Sequence, residues 1–236
     1  MFLNPVINKY DLLKYIGHTI KMIIYLIRHG HATRTDNGSI LSEIGHKQAM
    51  ITAKKIKQLC GKYPTKVFSS TMTRAVQTAE YFTYDIYQHK FLGEYTRSGE
   101  SFLNFISRVK KCERELRTFN NSIYIIYGHA IFISALLSII TGFQPENTGD
   151  LIFRLNHCSI SKISFENGSW RILGVNNTDH IPSHRITINN DIDHLTTTND
   201  YIDRQPHTSE DIEEIEDINP VTNINVDINP VTNPEL

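Results

Sequence analysis

The chain has 236 residues, 40% of them hydrophobic, which is enough to bury the core of one sizeable globular domain. Its formal net charge of −1 is unevenly distributed: residues 183–236 hold two cations and twelve carboxylates, whereas residues 1–182 hold 22 cations and 13 carboxylates. The basic body lacks interleaved aromatic and basic residues, and its longest apolar run, 130–140, is too short to cross a bilayer. The sequence therefore predicts neither a nucleic-acid surface nor a membrane anchor.

The three cysteines, Cys60, Cys112 and Cys158, are widely spaced and form no CxxC pair. This spacing argues against a disulfide framework and against a thiolate zinc site. The first twenty residues show no clear secretory signal. These features together favour a reducing, cytoplasmic location.

Buried strands alternate with helices along most of the chain. Before this alternation begins, the pattern predicts a short amphipathic helix over residues 10–20, weakened by Gly17. The predicted strands are 22–27, 66–70 and 123–127, and the predicted helices are 42–60, 73–82, about 100–117, and 130–140. The sheet is expected to be extended at its edge by shorter strands at 151–155, 159–165 and 170–175. The alternation predicts a three-layer α/β/α sandwich with a mostly parallel central sheet.

The helix predicted over 42–60 carries clear end signals. Ser42 suits the N-cap, and Gly61 suits the position just after the C-terminus. One apolar face is predicted from the 3.6-residue period, and it consists of Ala49, Ala53, Ile56 and Cys60.

The composition changes after Pro182. Aromatic residues nearly vanish, Asn, Asp and Thr accumulate, and the sequence DINPVTN at 217–223 recurs at 227–233. Two copies of so short a unit do not make a solenoid, and the segment has little apolar surface to bury. We therefore expect one domain over 1–182, with its core at 22–182, and a disordered acidic tail over 183–236.

Polar side chains follow the three predicted central strands, at the points where those strands end. Arg28 and His29 follow the first strand, Arg74 lies shortly after the second, and His129 follows the third. In a parallel α/β sheet ligands bind outside the carboxyl ends of the strands, so these side chains should converge there. Two guanidinium groups and two imidazoles facing one crevice suit a phosphoryl group. Helix N-termini after Ser70 and after His129 are expected to add N–H donors.

Six ordered blocks of sequence resemble the histidine phosphatase superfamily, also called phosphoglycerate mutase-like. The resemblance covers about residues 22–182. The blocks are Arg28-His29-Gly30, LSEIGHKQA (41–49), SSTMTRAVQTAE (69–80), SGES (98–101), YGHA (127–130) and NNTDHI (176–181).

The resemblance implies a role for each residue of the crevice. His29 matches the nucleophile, which becomes a phosphohistidine that water then hydrolyses, and Arg28 and Arg74 match the phosphate-binding arginines. His129 matches the second histidine, which stabilises charge in the transition state. The two guanidinium groups disfavour a protonated His29, as a nucleophile requires, whereas bound phosphate favours a charged His129.

A proton donor for the leaving alkoxide is also needed. Glu94, in FLGEY, matches the position of the acidic residue in the family, and Glu100, in SGES, is its competitor. We favour Glu94, whose pKa should be raised beside a phosphate dianion.

Several residues depart from the pattern of the family or carry no role in it. His31 stands where many members have an acidic or amide residue, but with His29 it makes only two imidazoles and no third ligand, so no metal site is predicted. Asn37 and Thr35 are both candidates for the phosphate-contacting position in the loop after the first strand. His180 is interpreted as a structural histidine that closes the last loop.

The resemblance implies a metal-independent phosphomonoesterase of the histidine acid phosphatase type, with no cofactor. The expected substrate is a phosphorylated small molecule, with a phosphoprotein as the alternative. A phosphoglycerate mutase is the first rival. Mutases of the family cover the pocket with an insertion, and the segment here, about 84–99, is short. A catalytically idle phosphate-binding scaffold protein is the second rival, and the presence of all four crevice residues counts against it.

Overall fold

The computed structural model describes residues 22–36, 38–119 and 122–187. The helix predicted over 10–20, Asn37 and the tail from residue 188 onward lie outside the described residues. The strands are β1 (Met22–Arg28), β2 (Ala32–Thr35), β3 (Gly38–Leu41), β4 (Thr65–Ser69), β5 (Tyr87–Gln88), β6 (Ile123–Gly128), β7 (Ile160–Glu166) and β8 (Ser169–Asn177). The α-helices are α1 (Glu43–Cys60), α2 (Thr73–Glu80), α3 (Phe102–Leu116), α4 (Ala130–Ile140) and α5 (Pro145–Thr148).

Six strands form the central sheet, in the order β5-β4-β6-β1-β7-β8. The first four of these are mutually parallel, whereas β7 and β8 run antiparallel to their neighbours at one edge. The strands β2 and β3 pair with each other in a separate two-stranded hairpin that the sequence did not predict. The predicted mostly parallel sheet is therefore confirmed, and the strands that extend it at the edge, β7 and β8, are antiparallel.

Helices cover both faces of this sheet, as the alternating side chains of β1 illustrate. Ile24 and Leu26 belong to a core cluster shared with α3 and α4, whereas Tyr25 and Ile27 belong to a second cluster shared with α1 and α2. A strand buried on both faces reads as a continuous apolar run, which is why β1 shows no polar alternation. The three-layer α/β/α sandwich predicted from the sequence is confirmed.

The ends of α1 lie where the sequence predicted them. The Ser42 hydroxyl accepts a hydrogen bond from the Gly45 N–H at 3.1 Å, and Gly61 follows the helix with a φ of 58°. The four predicted apolar positions on this helix are buried. The capping contacts define where the helix begins and ends, and the helical period defines the face that it buries.

One predicted strand is wrong. Residues 151–155 form no strand, because two of their N–H groups are taken by hydroxyls of α4: Ile152 donates to Ser138 and Phe153 donates to Ser134. Leu151 and Leu155 of the run LIFRL are buried in the core cluster that includes α4, whereas Ile152 is exposed, and the run does not pair in the sheet. A short apolar run of this length is compatible both with a strand of the sheet and with a segment packed against a helix, so the sequence alone does not decide between them.

The last described residues pack against the body. A 3₁₀ turn spans Ser183–Arg185, and the buried Gln48 amide donates to the Arg185 carbonyl at 2.6 Å and to the Thr187 hydroxyl at 2.9 Å. Residues 183–187, which the sequence assigned to the tail, are therefore hydrogen-bonded to α1.

The three cysteines are free and buried. No helix within the described ranges combines the length and the apolar character that a membrane span needs.

Candidate active site

The carboxyl ends of β1, β4 and β6 meet at one point of the sheet edge. In the parallel register Arg28 lies opposite Gly128, and Ser69 lies opposite Tyr127. The next residue of each strand is therefore brought to the same place, which explains why a buried strand runs directly into charged side chains. Arg28, His29 and His129 are all at least 95% buried there.

His29 is held in one tautomer. Its Nδ1 lies 2.7 Å from the Gly30 carbonyl, which can only accept, so Nδ1 carries the proton. Its Nε2 accepts a hydrogen bond from Arg74 Nε at 3.0 Å. A lone pair on Nε2, directed toward a guanidinium, is the arrangement that a nucleophilic imidazole needs.

The pKa of His29 is lowered well below 6.5. Burial is the largest cause, followed by the neighbouring His129 and the charges of Arg74 and Arg28. The imidazole is therefore neutral at physiological pH, as the sequence argument required.

Two arginines approach the nucleophile from different elements. Arg28, at the end of β1, is almost completely buried, and its Nη1 donates to the Leu155 carbonyl at 2.6 Å. Arg74 lies in the first turn of α2, and the carbonyl of Arg74 accepts a bond from Thr78. A fork of planar N–H donors on each of two rigid elements matches the oxygens of a phosphoryl group.

His129 lies beside His29, with 5.1 Å between the ring centroids. Its Nε2 is 2.9 Å from the buried Ser70 hydroxyl, and its Nδ1 has no hydrogen-bond partner in the described part of the chain. Burial and the charges of Arg74, Arg28 and Arg108 hold the pKa of His129 well below 6.5. Without an anion in the crevice His129 is therefore neutral, and a bound phosphate dianion would shift its pKa upward.

Glu94 reaches the crevice from the segment between β5 and α3. Its carboxylate accepts hydrogen bonds from the N–H groups of Tyr95 at 3.1 Å, Ile131 at 3.2 Å and Phe132 at 3.1 Å. Two of these donors belong to the first turn of α4, directly after His129, so the carboxylate caps this helix. Two of the N–H groups at the helix N-terminus after His129, where the sequence predicts donors for a phosphoryl group, are therefore bound to Glu94.

Burial raises the pKa of Glu94, and the N–H donors and the charges of Arg28 and Arg74 oppose the shift. The opposing charges of both arginines act on this carboxyl, which places it in the same electrostatic environment as His29. A carboxyl with a raised pKa can carry a proton closer to neutrality than an ordinary glutamic acid.

The competitor Glu100 has a different partner. It forms an ion pair with Arg108 of α3 through both carboxylate oxygens. Both oxygens of Glu100 are therefore bound by a guanidinium of α3.

His157, which has no role predicted from the sequence, lies against the nucleophile in the structure. Its ring centroid lies 5.5 Å from that of His29 and 5.3 Å from that of His31, and the side chain is completely buried. Its Nδ1 lies 3.1 Å from the Thr187 carbonyl and 2.9 Å from the Thr187 hydroxyl, so Nδ1 carries the proton. Burial and the charge of Arg28 lower the pKa of His157 to about 2, and the ring is neutral.

The loop after β1 is fixed by close backbone contacts. A Cβ on Gly45 would lie 2.0 Å from the His31 carbonyl oxygen, and a Cβ on Gly30 would lie 2.7 Å from the Gly45 carbonyl oxygen. The Gly30 N–H donates to Thr78, and the His31 N–H donates to Gln48. These contacts position the nucleophile without leaving the loop room to shift.

Two other residues singled out in the sequence make local contacts of their own. Thr35 is exposed, and its hydroxyl donates to the Gly38 carbonyl in the β2–β3 turn at 2.8 Å. His180 is partly buried with its Nε2 2.9 Å from the Thr52 hydroxyl, as expected of a structural histidine. Across residues 22–36, 38–119 and 122–187, no cluster of three or more His, Cys, Asp and Glu side chains is arranged to hold a metal ion.

Comparison with known proteins identifies relatives of the whole domain. The family model of the histidine phosphatase superfamily (branch 1) matches residues 24–94 and 83–178. Over 211 residues, 77% of this chain and 72% of the relative, the sequence is 25% identical to the serine/threonine-protein phosphatase Pgam5, mitochondrial, of Caenorhabditis briggsae.

Solved structures share the fold. The phosphoserine phosphatase of Entamoeba histolytica, in complex with 3-phosphoglyceric acid, aligns with a TM-score of 0.53 at 20% identity, covering 68% of this chain and all of that one. Bacillus stearothermophilus YhfR aligns with a TM-score of 0.56 at 18% identity, with the same coverage.

Proposed function

Because this chain belongs to the histidine phosphatase superfamily (branch 1), we propose that it hydrolyses phosphomonoesters through a phosphohistidine formed on Nε2 of His29. One observation carries the proposal: His29 is neutral, protonated on Nδ1 by its contact with Gly30, and presents an Nε2 lone pair to Arg74. Each remaining role falls to a residue of the same crevice, so the reaction needs no metal ion.

In the first step the Nε2 lone pair of His29 attacks phosphorus. The bond from phosphorus to the ester oxygen breaks as the bond from phosphorus to Nε2 forms, while Arg28 and Arg74 hold the non-bridging oxygens. Arg74 transfers its N–H contact from Nε2 to a phosphoryl oxygen as the substrate arrives. His129 acts as a donor to the charge that develops on the phosphoryl oxygens.

Glu94 gives its proton to the leaving alkoxide. Its Oε1 accepts two N–H donors, from Tyr95 and Phe132, whereas Oε2 accepts one, from Ile131. The proton therefore resides on Oε2, which keeps a lone-pair position free.

In the second step the roles of Glu94 reverse. The Glu94 carboxylate takes a proton from water, the water oxygen attacks phosphorus, and the bond from phosphorus to Nε2 breaks. Inorganic phosphate leaves, and His29 regains its neutral state with the lone pair on Nε2.

Hydrolysis is favoured over mutase chemistry because little chain is available to cover the crevice. Residues 81–101, between α2 and α3, carry the two-residue strand β5 and a 3₁₀ turn over Lys90–Leu92. A phosphoenzyme without a substantial cover is open to water, and water then competes with transfer back to the substrate.

We propose a phosphorylated small molecule as the substrate, with a phosphoprotein as the alternative that the Pgam5 relative supports. A panel of phosphorylated metabolites and phosphopeptides, assayed for phosphate release, tests this choice, with His29→Ala as the control. We expect release from at least one class and little interconversion of 2- and 3-phosphoglycerate, even with bisphosphoglycerate supplied. Efficient interconversion without release of phosphate would establish the mutase instead.

A further inference from the structure

The segment that carries Glu94 is anchored to α3 by one arginine, and we propose that Arg108, held by Glu100, is the positioning residue for the general acid. The inference rests on the proposed function, in which Glu94 supplies the proton. It assigns to the SGES block a role in catalysis that is exerted through Glu94, although neither Glu100 nor Arg108 contacts the reacting atoms.

The contacts of Arg108 lie just before Glu94 in the chain. Its Nη1 donates to the Phe91 carbonyl at 2.7 Å and to the Gly93 carbonyl at 3.0 Å. Its Nε donates to Glu100 Oε2 at 3.2 Å, and its Nη2 donates to Glu100 Oε1. One planar guanidinium thus joins the backbone next to the acid to a carboxylate at the start of α3.

The anchor is well shielded. The side chains of Arg108 and Glu100 are 15% and 23% exposed, and the guanidinium lies 5.1 Å from the centroid of the Phe105 ring. Phe102, Phe105 and Val109 on the same helix are buried in the core. Shielding from water strengthens the charge-assisted bonds, and burial of the helix gives Arg108 a rigid base.

Glu94 is therefore held at two places. Its carboxylate is bound to the first turn of α4, and the backbone immediately before it is bound to Arg108. Loss of Arg108 would leave the Phe91 and Gly93 carbonyls without this donor, and the segment would shift toward other partners. A displacement of about 1 Å at a reacting group can reduce the rate about 100-fold.

Displacement of Glu94 should slow the attack of water equally for every substrate, because the phosphoenzyme is the same. Its effect on the first step should depend on the leaving group, and kcat/KM reports that step. A leaving group of low basicity departs without protonation, whereas a strongly basic one does not. Loss of Arg108 should therefore slow the reaction of the poorer leaving group selectively, as loss of Glu94 does. A general loss of folding should instead slow the reactions of both substrates equally.

The test compares two substrates in the full-length chain: 4-nitrophenyl phosphate, a good leaving group, and phenyl phosphate, a poorer one. We expect Glu94→Gln to reduce kcat/KM for phenyl phosphate selectively, and Arg108→Met and Glu100→Gln to do so by roughly 10-fold or more. Arg117→Met is the matched control, because it breaks another ion pair at the end of the same helix, with Glu113. The Arg117→Met variant should change kcat/KM for the two substrates by the same factor.

Two further variants separate anchoring from charge and from folding. Arg108→Lys keeps the positive charge near His129 but lacks the planar fork, so we expect it to show the same selective loss as Arg108→Met. In a double-mutant cycle, Arg108→Met should have little further effect on phenyl phosphate once Glu94 is already glutamine.

Wild-type selectivity in both Arg108→Lys and Arg108→Met would overturn the anchoring, as would wild-type selectivity in Arg108→Lys alone, since charge would then be the relevant property. Additive losses in the double mutant would also overturn it. Equal losses of kcat/KM for both substrates in Glu94→Gln itself would instead reject Glu94 as the acid of the proposed function, and the anchoring with it.

Discussion

Arg74 Nε donates a hydrogen bond to Nε2 of His29 at 3.0 Å, so the guanidinium expected to hold the phosphoryl group covers the lone pair expected to attack it. The contact has two consequences. Together with burial, which is the larger cause, it lowers the pKa of His29, because a fixed positive charge opposes a second one on the imidazole. It also places Arg74 where an incoming phosphoryl oxygen will displace the nitrogen as its acceptor.

Replacement of Arg74 by methionine removes both effects. We expect kcat/KM to fall roughly 10- to 150-fold, the equivalent of one lost charge-assisted contact of about 1.5–3 kcal/mol. We also expect the pKa of His29 to rise, because a charge that lowers it has gone. Steady-state kinetics and an NMR titration of the His29 ring measure the two effects, and Arg171→Met, at an exposed position of β8, is the control. An unchanged His29 titration would contradict this account of its neutrality.

The pH dependence should reveal Glu94. An acid must be protonated to act, so activity toward substrates with basic leaving groups is present below the Glu94 pKa and falls as pH rises through it. Because burial raises that pKa, the fall should lie above the ordinary range of a glutamic acid. Profiles of kcat/KM for phenyl and 4-nitrophenyl phosphate, measured in parallel, test this, and the fall should be much weaker for the nitrophenyl ester. A coincident fall for both substrates would assign it to another group.

Much of the site could be predicted from the sequence because polar side chains directly follow buried strands. A parallel sheet brings strand ends together whatever the loops do, so Arg28, His29 and His129 are placed by topology alone. The same rule predicts the position of Arg74, which lies in the first turn of the helix that follows β4. The role of Glu94 could be predicted only from the family resemblance. Its contacts depend on the path of an irregular segment that packs against the start of α4, and the strand pattern does not predict that path.

The parts that the sequence could not predict depend on contacts between distant segments. His157 resembles any other histidine until the fold places it against His29, and its tautomer is set by Thr187, at the far end of the described chain. The run LIFRL has the composition of a strand, but hydroxyls of α4 accept hydrogen bonds from two of its N–H groups. Arg108 is one of several cations on α3, and its two carbonyl partners lie in an irregular segment.

The close approach of α1 to the catalytic loop gives a further prediction. A methyl group at position 45 would lie 2.0 Å from the His31 carbonyl oxygen, so Gly45→Ala must displace the loop that holds His29. We expect a loss of about 1–3 kcal/mol in the free energy of unfolding and a larger proportional loss of turnover. Gly174→Ala, where no atom lies within 4 Å of the new methyl, is the matched control. Wild-type turnover in Gly45→Ala would show that the loop tolerates movement.

Truncation can separate the described end of the chain from the predicted tail. Removal of everything after Thr187 should leave the melting temperature and turnover close to those of the full chain, because the removed segment has little apolar surface. Removal of everything after Pro182 should lower both, since Gln48 and His157 lose their partners at Arg185 and Thr187. The comparison is made by thermal melts and kinetics near physiological ionic strength, where weak charge attraction is screened. Identical behaviour of the two truncations would contradict a supporting role for residues 183–187.

The central claim is that Nε2 of His29 carries the phosphoryl group. It is tested most directly by quenching the enzyme in base during turnover of a radiolabelled phosphomonoester and locating the label. The account predicts an acid-labile, base-stable phosphohistidine on His29 at Nε2, absent from His29→Ala, with activity unaffected by chelators. A label that persists in His29→Ala, or turnover that a chelator abolishes and added metal restores, would contradict it.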